Sequence, residues 1–258
     1  MIKKCVRYWG YFFLLLMVVS CTSERKTLRQ IPTEKRPTLV FLDFENNSPG
    51  QPTHFASLRR AIPDLILSDF QTSGLFRVLR SSDRTRLVQE LSYQHSGMTG
   101  PDPIKYGKQL NADLVLTGSF STIDGVVSIT ARVTDVATGQ VLASHTVAGP
   151  TRNVLLPGVS PLKQLSLTLL ANLGTSLNNS EEEILADSFE TREMSALLSN
   201  YEGEILMEKA SAREEEDAAT DLRKEARKEF EKAAQADPDY ERPRRNLRRM
   251  AGFLTPPL

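Results

Sequence analysis

Residues 105–144 read KYGKQLNADLVLTGSFSTIDGVVSITARVTDVATGQVLAS, and this stretch decides the fold class of the chain. Two runs of strand-forming residues, Asp113–Ile123 and Val126–Val136, flank Asp124-Gly125, a dipeptide typical of a two-residue hairpin turn. The second run alternates apolar and polar residues, so we expect one buried and one water-facing side. The stretch therefore predicts a long antiparallel hairpin within a sheet.

The chain before this hairpin predicts parallel strands joined by a helix. Thr38–Phe44 is an almost continuous apolar run, which is typical of a strand buried on both faces. It leads to a helix of about 18 residues with apolar side chains at helical spacing. That helix contains Pro63 and ends at Ser73-Gly74, and Leu75–Leu79 predicts a short second strand.

Four further elements complete the domain that the sequence predicts. They are a helix around Leu87, a helix beginning at Asp102-Pro103, a strand over Gln140–Val147 and a helix over Leu162–Leu177. The resulting order, β-α-β-α-α-β-β-β-α, indicates an α/β domain with a mixed sheet over residues 37–179.

The first 20 residues have the pattern of a secretory signal. The basic residues Lys3, Lys4 and Arg7 precede an apolar run, Tyr11–Val19, that falls short of the roughly 20 residues needed to span a bilayer. The run ends in Val18-Val19-Ser20-Cys21, which resembles the lipobox of bacterial lipoproteins. The resemblance implies that the thiol of Cys21 is diacylated, that the chain is cut before Cys21, and that the new amine is often acylated too, for example with palmitate. An ordinary signal peptide that happens to end near a cysteine is the alternative.

Residues 21–36 would then form the lipidated cysteine and a flexible tether. The segment is polar and nearly free of large apolar side chains. Its 15 residues after Cys21 give an average span of about 20 Å and a limit near about 50 Å. Residue 22 is Thr rather than Asp, which favours sorting to the outer membrane, with the folded part facing the periplasm.

Composition excludes several classes of function. The full chain has zero formal charge, and loss of the three basic signal residues leaves about −3. This net charge gives no indication of nucleic-acid binding. The two cysteines are Cys5, which leaves with the signal, and Cys21, which the lipid occupies. No disulfide is therefore expected in the folded part.

A family resemblance covers residues 38–149. The helix leading into Ser73–Leu79, the block Gly107–Phe120 and the block Thr134–Leu142 resemble the CsgG/HfaB group. They are also similar to the N-terminal domain of TolB, to the flagellar lipoprotein FlgO and to the peptidoglycan-synthase activator LpoB. The resemblance implies an α/β fold like that of anticodon-binding domains, without any RNA function.

Subunits of CsgG-type secretion channels add long membrane hairpins to this domain. A transmembrane strand needs roughly 9–11 residues with apolar side chains facing lipid and aromatic girdles. The hairpin around Asp124-Gly125 contains one aromatic residue, Phe120, so we expect it to belong to the domain's own sheet. A homo-oligomeric channel nevertheless stays open as the alternative function.

Residues 180–258 predict a helical tail rich in Ala, Glu, Lys, Arg and Leu. Ala226, Phe230, Ala233 and Pro238 have the spacing of the second helix of a tetratricopeptide (TPR) repeat, and Tyr201, Gly203 and Leu206 fit its first helix. A plain amphipathic helical hairpin is the alternative, because only one repeat is visible.

The tail also contains a basic run that is a candidate partner-binding surface: Arg242, Arg244, Arg245, Arg248 and Arg249. Such a run suits phospholipid headgroups or an acidic partner. The alternative is a solvated helix face paired with the acidic helix before it.

The sequence offers no recognisable catalytic or metal site. His54, His95 and His145 lack the spacing of metal ligands, and no nucleotide-binding glycine motif or GxSxG motif occurs. Asp43 ends the first predicted strand, where α/β proteins place functional carboxylates, although a structural role at the strand end fits as well. We therefore expect no catalytic residue and no cofactor beyond the lipid on Cys21.

Together these features predict an outer-membrane lipoprotein that binds rather than catalyses. We expect it to act as an assembly factor for an envelope protein complex, in secretion, motility or cell-wall synthesis. Its contacts would be the membrane through the lipid and a protein partner through the α/β domain or the tail.

Overall fold

A computed structural model describes residue 32 and residues 36–49, 57–79, 102–175, 177–213 and 215–254. The predicted signal peptide, Cys21, most of the tether, His54, His95 and the predicted helix around Leu87 lie outside these residues. In the described part, no helix is both long enough and apolar enough to cross a membrane.

The centre of the molecule is a mixed sheet, and its strands are ordered β3-β1-β4-β5-β6. These strands are β1 (Thr38–Phe41), β3 (Arg77–Val78), β4 (Leu114–Ile123), β5 (Val126–Asp135) and β6 (Val141–Pro150), and β2 (Glu45–Asn46) lies beside the far half of β4. β1 is parallel to β3 and β4, whereas β4, β5 and β6 are antiparallel. The α/β class with a mixed sheet, predicted from the sequence, is confirmed.

The β4–β5 hairpin follows the sequence prediction closely. Asp124 and Gly125 occupy its turn with φ angles of 49° and 75°, which a type I′ turn requires. Val127, Ile129 and Ala131 on β5 are fully buried, whereas Arg132 on the opposite face is exposed. Because β4 also pairs with β1, the hairpin is part of the central sheet.

Two helices cover the apolar face of the sheet. They are α1 (Leu58–Thr72), which contains Pro63 as predicted, and α3 (Pro161–Asn172). On the other face, α2 (Pro103–Gln109) starts where Asp102 accepts a hydrogen bond from the Ile104 amide over 3.0 Å. Both faces of β1 are therefore buried, as its apolar sequence predicts.

At four points the observed elements differ from those that the sequence predicts. The first strand ends at Phe41 rather than Phe44, and the short strand β2 at Glu45–Asn46 was not predicted from the sequence. The predicted strand Leu75–Leu79 is reduced to two residues. The helix expected to reach Leu177 ends at Asn172, because Gly174 adopts a left-handed conformation with φ of 76°.

The described residues of the C-terminal part form four helices joined by short connecting segments. After α4 (Asn179–Asp187), the chain forms α5 (Met194–Ser211), α6 (Glu216–Ala236) and α7 (Glu241–Leu254). Leu185, Leu197 and Tyr201 belong to the same hydrophobic cluster as the sheet, so the core continues past residue 179. A second cluster, with Leu206, Ala226, Phe230 and Met250, holds α5, α6 and α7 together.

Candidate functional site

A cleft of about 870 Å³ lies where the helical tail meets the β3 edge of the sheet. Its walls come from α1, from the segment around β3 and from α5 and α7. Its lining combines apolar and charged side chains: Arg36, Asp64, Leu65, Leu67, Ser68, Gln71, Phe76, Arg77, Val78, Leu79, Glu190, Tyr201, Arg242 and Arg249. We call this the α1–α7 cleft.

Arg242 forms one wall of the cleft and joins three helices. Its Nε and Nη2 atoms donate to the two carboxylate oxygens of Glu204 on α5, over 2.8 and 3.1 Å. Its Nη1 atom donates to Asp64 Oδ2 on α1 over 2.7 Å and to Tyr201 Oη over 2.8 Å. The guanidinium also lies 4.6 Å from the centre of the Tyr201 ring. We call Arg242, Glu204, Asp64 and Tyr201 the Arg242 cluster.

The start of α7 is fixed so that Arg242 points into this cluster. Tyr240, directly before the helix, is buried, and Thr191 Oγ1 donates to Asp237 Oδ2 over 2.5 Å. One turn further along, Asn246 donates to Asn200 over 3.2 Å and to Glu204 over 3.1 Å. The first two turns of α7 are thus hydrogen-bonded to α5.

Burial and the neighbouring charges keep Tyr201 and Arg242 each in one protonation state. Burial raises the pKa of Tyr201 well above its ordinary value, although the charge of Arg242 opposes this. Burial would lower the pKa of Arg242, but Tyr201, Glu204 and Asp64 together raise it well above its ordinary value. Tyr201 therefore stays a neutral donor to Asp64, and Arg242 stays a cation. Such a cluster holds elements together and is not suited to proton transfer.

The same face of α1 carries further polar contacts to α5. Ser57 donates to Glu202 over 2.9 Å, and Arg60 forms an ion pair with Glu208. Arg60 also lies 3.4 Å from Asp43, the carboxylate that the sequence placed at the strand end. Asp43 therefore has a structural contact in the fold. Together with the contacts of Asp64, these contacts tie the first two turns of α1 to the tail.

The structure separates the five arginines of the basic run. Arg242 is used within the fold, whereas Arg244, Arg245, Arg248 and Arg249 are exposed on α7. Arg244 and Arg248 lie 3.8 and 3.3 Å from Glu241 on the same helix. Partner binding by this run stays a prediction, and the exposed four are the residues that could carry it.

The TPR-like residues pack between α5 and α6. Ala226, Phe230 and Ala233 are buried, and Pro238 follows the end of α6 at Ala236. A Cβ atom added to Gly203 on α5 would lie 2.6 Å from the Phe230 ring, so only glycine permits this approach. The packing supports a close helix pair, while its membership of the TPR class stays a prediction.

Sequence reasoning missed Asp64 and Glu204 as partners of Arg242. One signal was present: Asp64 follows Pro63 within an otherwise apolar helix, and a charged residue there needs a partner. Glu204 follows Tyr201 by three residues, which places both on one face of α5. Among the described residues, no group of three or more His, Cys, Asp or Glu side chains could hold a metal ion.

The fold and the cleft define a class, an α/β domain bound tightly to a helical tail. The chain belongs to the family described as peptidoglycan-synthase activator LpoB, whose model matches residues 17–146, just over half of the 258 residues. The match includes Cys21, the tether and most of the sheet. It ends before α3, so Arg242, Glu204 and Tyr201 lie outside it and Asp64 lies inside it.

Three solved structures to which the chain is similar share little sequence with it. Lipoprotein GNA1162 from Neisseria meningitidis is 18% identical, with 55% of this chain and 99% of that chain covered and a TM-score of 0.36. The LpoB C-terminal domain from Salmonella enterica is 20% identical, with 44% and 82% covered and a TM-score of 0.31. TolB from Acinetobacter baumannii is 12% identical, with 54% and 28% covered and a TM-score of 0.35. No curated protein matches the chain.

Proposed function

We propose that the chain is an outer-membrane-anchored, non-enzymatic factor that binds and activates a peptidoglycan synthase in the periplasm. The observation that carries the proposal is the family match over residues 17–146, because it spans the end of the apolar run, Cys21, the tether and the sheet together. This narrows the sequence-based expectation of an envelope assembly factor to cell-wall synthesis.

The proposed mechanism is tethering followed by binding. Two or three acyl chains at Cys21 would hold the chain stably in the outer membrane, whereas a single acyl chain binds only marginally. The tether would let the folded part move about 20 Å on average from the membrane surface. Confinement near that surface raises the effective concentration of the chain for a synthase that reaches the same region.

Activation of a synthase tests the proposal directly. The chain from residue 21 onward, carrying Cys21→Ser, is added to the purified bifunctional peptidoglycan synthase of the same organism with its lipid-linked disaccharide-peptide substrate. We expect faster glycan polymerisation and co-purification of the two proteins. A second variant that also carries Asp124→Gly in the hairpin turn provides a folded control with an altered surface distant from the tail.

One outcome of this experiment would contradict the proposed activation. If the folded chain neither binds any synthase of the organism nor changes its rate of polymerisation, the activator proposal is wrong. Labelling of cells with a palmitate analogue tests the anchor separately, because only lipidation at Cys21 would make the label depend on that residue.

We propose that the helical tail adds a binding surface to the domain. The close packing of Gly203 against Phe230 supports a TPR-like pair formed by α5 and α6. The proposed division at residue 179 separates the family-like domain from this tail in sequence. Contacts of α1 with α5 and α7 nevertheless hold both in one position.

A CsgG-type secretion channel has no observation in its favour among the described residues. The β4–β5 hairpin, which the sequence put forward as the candidate for the membrane, pairs on one side with β1 and on the other with β6. Its strands are therefore committed to the central sheet.

A further inference from the structure

Charge is distributed very unevenly along the chain. With histidine neutral, residues 37–240 carry a formal charge of −10, whereas residues 22–36 carry +3 and residues 241–258 carry +4. The acidic body of the protein is thus flanked in sequence by two basic segments. An uneven distribution of this kind orients a protein in the field of a charged surface.

The fold brings Arg36, the described end of the first basic segment, to the same cleft as the second. Arg36, the last residue of the tether, and Arg249, on the third turn of α7, line the same α1–α7 cleft together with Arg77. Arg242, in the first turn of α7, contacts the middle of α1, and the seven residues that follow it advance about 10 Å along the helix axis. The basic helix therefore runs toward the point where the tether enters the folded part.

The exposed face of α7 is almost entirely cationic. Arg244, Arg245, Arg248 and Arg249 are exposed, and Glu241 is the one acidic residue on this helix. Glu241 lies near Arg244 and Arg248, while Arg245 and Arg249 form no ion pair with any described residue. One carboxylate against four guanidinium groups leaves a net charge of +3 on this face.

The opposite face of α7 is already occupied by the protein itself. Met250 is buried, and Leu247 packs on the cluster formed by Leu206, Ala226 and Phe230. Residues 241–251, whose side chains the structure describes, therefore present no free apolar face to insert into a bilayer, as a membrane-surface amphipathic helix would. Any contact with a membrane would be electrostatic, through the arginine side chains alone.

We propose that the arginine face of α7, formed by Arg244, Arg245, Arg248 and Arg249, docks on the anionic phospholipid surface in which the chain is anchored. Each arginine near such a surface strengthens binding roughly fivefold, and the attraction decays within a Debye length. The acidic body is repelled from the same surface. The attraction and the repulsion together hold the end of the molecule that contains Arg36 and α7 against the membrane. They turn the acidic remainder toward the periplasm.

Vesicle co-sedimentation tests the proposal without a synthase, so its outcome is independent of the proposed activation. The chain from residue 21 with Cys21→Ser is mixed at low salt with vesicles of phosphatidylethanolamine and phosphatidylglycerol, or of phosphatidylcholine alone. We expect binding only to the anionic vesicles. Arg244→Gln/Arg245→Gln/Arg248→Gln/Arg249→Gln should weaken it at least about tenfold, and about 0.5 M salt should abolish it.

A matched control removes the same charge from another exposed helix face. Lys224→Gln/Arg227→Gln/Lys228→Gln/Lys232→Gln on α6 should weaken vesicle binding less than about twofold, because these cations alternate with carboxylates. Circular dichroism confirms that both variants are folded. Equal vesicle binding by the α7 variant and the parent chain would overturn the proposal. So would a loss of synthase binding with vesicle binding unchanged, which would assign the face to an acidic protein partner.

Discussion

Gly203 is a point of close contact between α5 and α6, and its lack of a side chain is a packing requirement. Gly203→Ala would place Cβ 2.6 Å from Phe230 Cε1 and 2.8 Å from Cδ1. Phe230 is buried and cannot move aside freely. We expect a loss of about 1–2 kcal/mol in the free energy of unfolding, because the clash exceeds the helix propensity gained. Urea denaturation measures this loss.

The clash explanation has its own control in a second substitution. Phe230→Leu removes ring atoms next to position 203 and by itself costs stability through a cavity. In the double variant Gly203→Ala/Phe230→Leu, the alanine should cost less than it does with phenylalanine present. Strictly additive effects would show that the two positions do not touch.

Arg242 contributes more to the free energy of unfolding than its four basic neighbours do. Arg242→Met would leave the carboxylates of Asp64 and Glu204 half-buried without their cation, because their side chains are 18% and 22% exposed. We expect a loss of about 2–4 kcal/mol in the free energy of unfolding. Arg244→Met, at a side chain 43% exposed, should change it by less than about 0.5 kcal/mol. Similar losses in both variants would contradict a structural role specific to Arg242.

These residues show where sequence reasoning succeeds and where it stops. Ala226 and Phe230 were recognisable because they lie on one face of one helix, and regular spacing reveals such a face. Arg242 was grouped with four arginines that resemble it in sequence. Its partner Asp64 lies 178 residues away, so only the fold could separate it from the group.

At the scale of elements, a buried ion pair joins α1 to α3. Lys163 on α3 contacts Asp69 on α1, and the two side chains are 5% and 1% exposed. Lys163 Nζ also donates to the Ser188 carbonyl over 2.6 Å and lies 4.4 Å from the centre of the Phe189 ring. The pair therefore fixes the segment after α4 as well as the two helices.

Removing both members of this pair should cost less than the sum of the costs of removing each one alone. Asp69→Leu or Lys163→Met alone leaves a buried charge without its partner, and each should cost about 3–5 kcal/mol in the free energy of unfolding. The double variant should cost at least about 2 kcal/mol less than the sum of the single changes. Chemical denaturation of the four proteins measures the coupling, and additivity would contradict it.

The pH dependence of the pair gives a separate test. Burial raises the pKa of Asp69 above its ordinary value, and the charge of Lys163 opposes this only in part. The folded state then binds the proton more tightly than the unfolded chain, whose Asp has a pKa of about 3.9. The stabilisation that comes from this tighter proton binding is fully present below about pH 3.9. It is lost as the pH rises through the raised pKa of Asp69. The stability of the parent chain relative to Asp69→Asn should therefore fall as the pH rises from about 4, and a rise would contradict this.

Elements defined by local pattern were predicted well, and their ends less well. The β4–β5 hairpin follows from alternation and one Asp-Gly turn, both of which are local signals. The end of β1 and the existence of β2 depend on which residues of β4 pair with them. A local sequence pattern does not predict this pairing. α3 ends just before Gly174, which has a left-handed backbone conformation. The leucine-rich sequence around this glycine predicts that the helix continues.

At the scale of the whole molecule, the anchor, the sheet and the tail predict a small assembly on a tether. The chain from residue 21 with Cys21→Ser should be soluble without detergent, with a mass by light scattering no greater than about twice the 28.8 kDa of the full chain. The reason is that the apolar face of the sheet is covered by α1 and α3, and the long β4–β5 hairpin is paired within the sheet. Neither is left to build a membrane barrel.

The same measurement separates the two architectures considered for this chain. A channel subunit exposes apolar hairpins that need lipid or detergent, so its mass would rise to a ring of many subunits in detergent and it would aggregate without it. A tethered binding factor shows one small mass in both conditions, because its only membrane-embedded group is the lipid that Cys21→Ser removes. A detergent-dependent ring would therefore contradict the activator and require that residues outside the described part form the membrane strands.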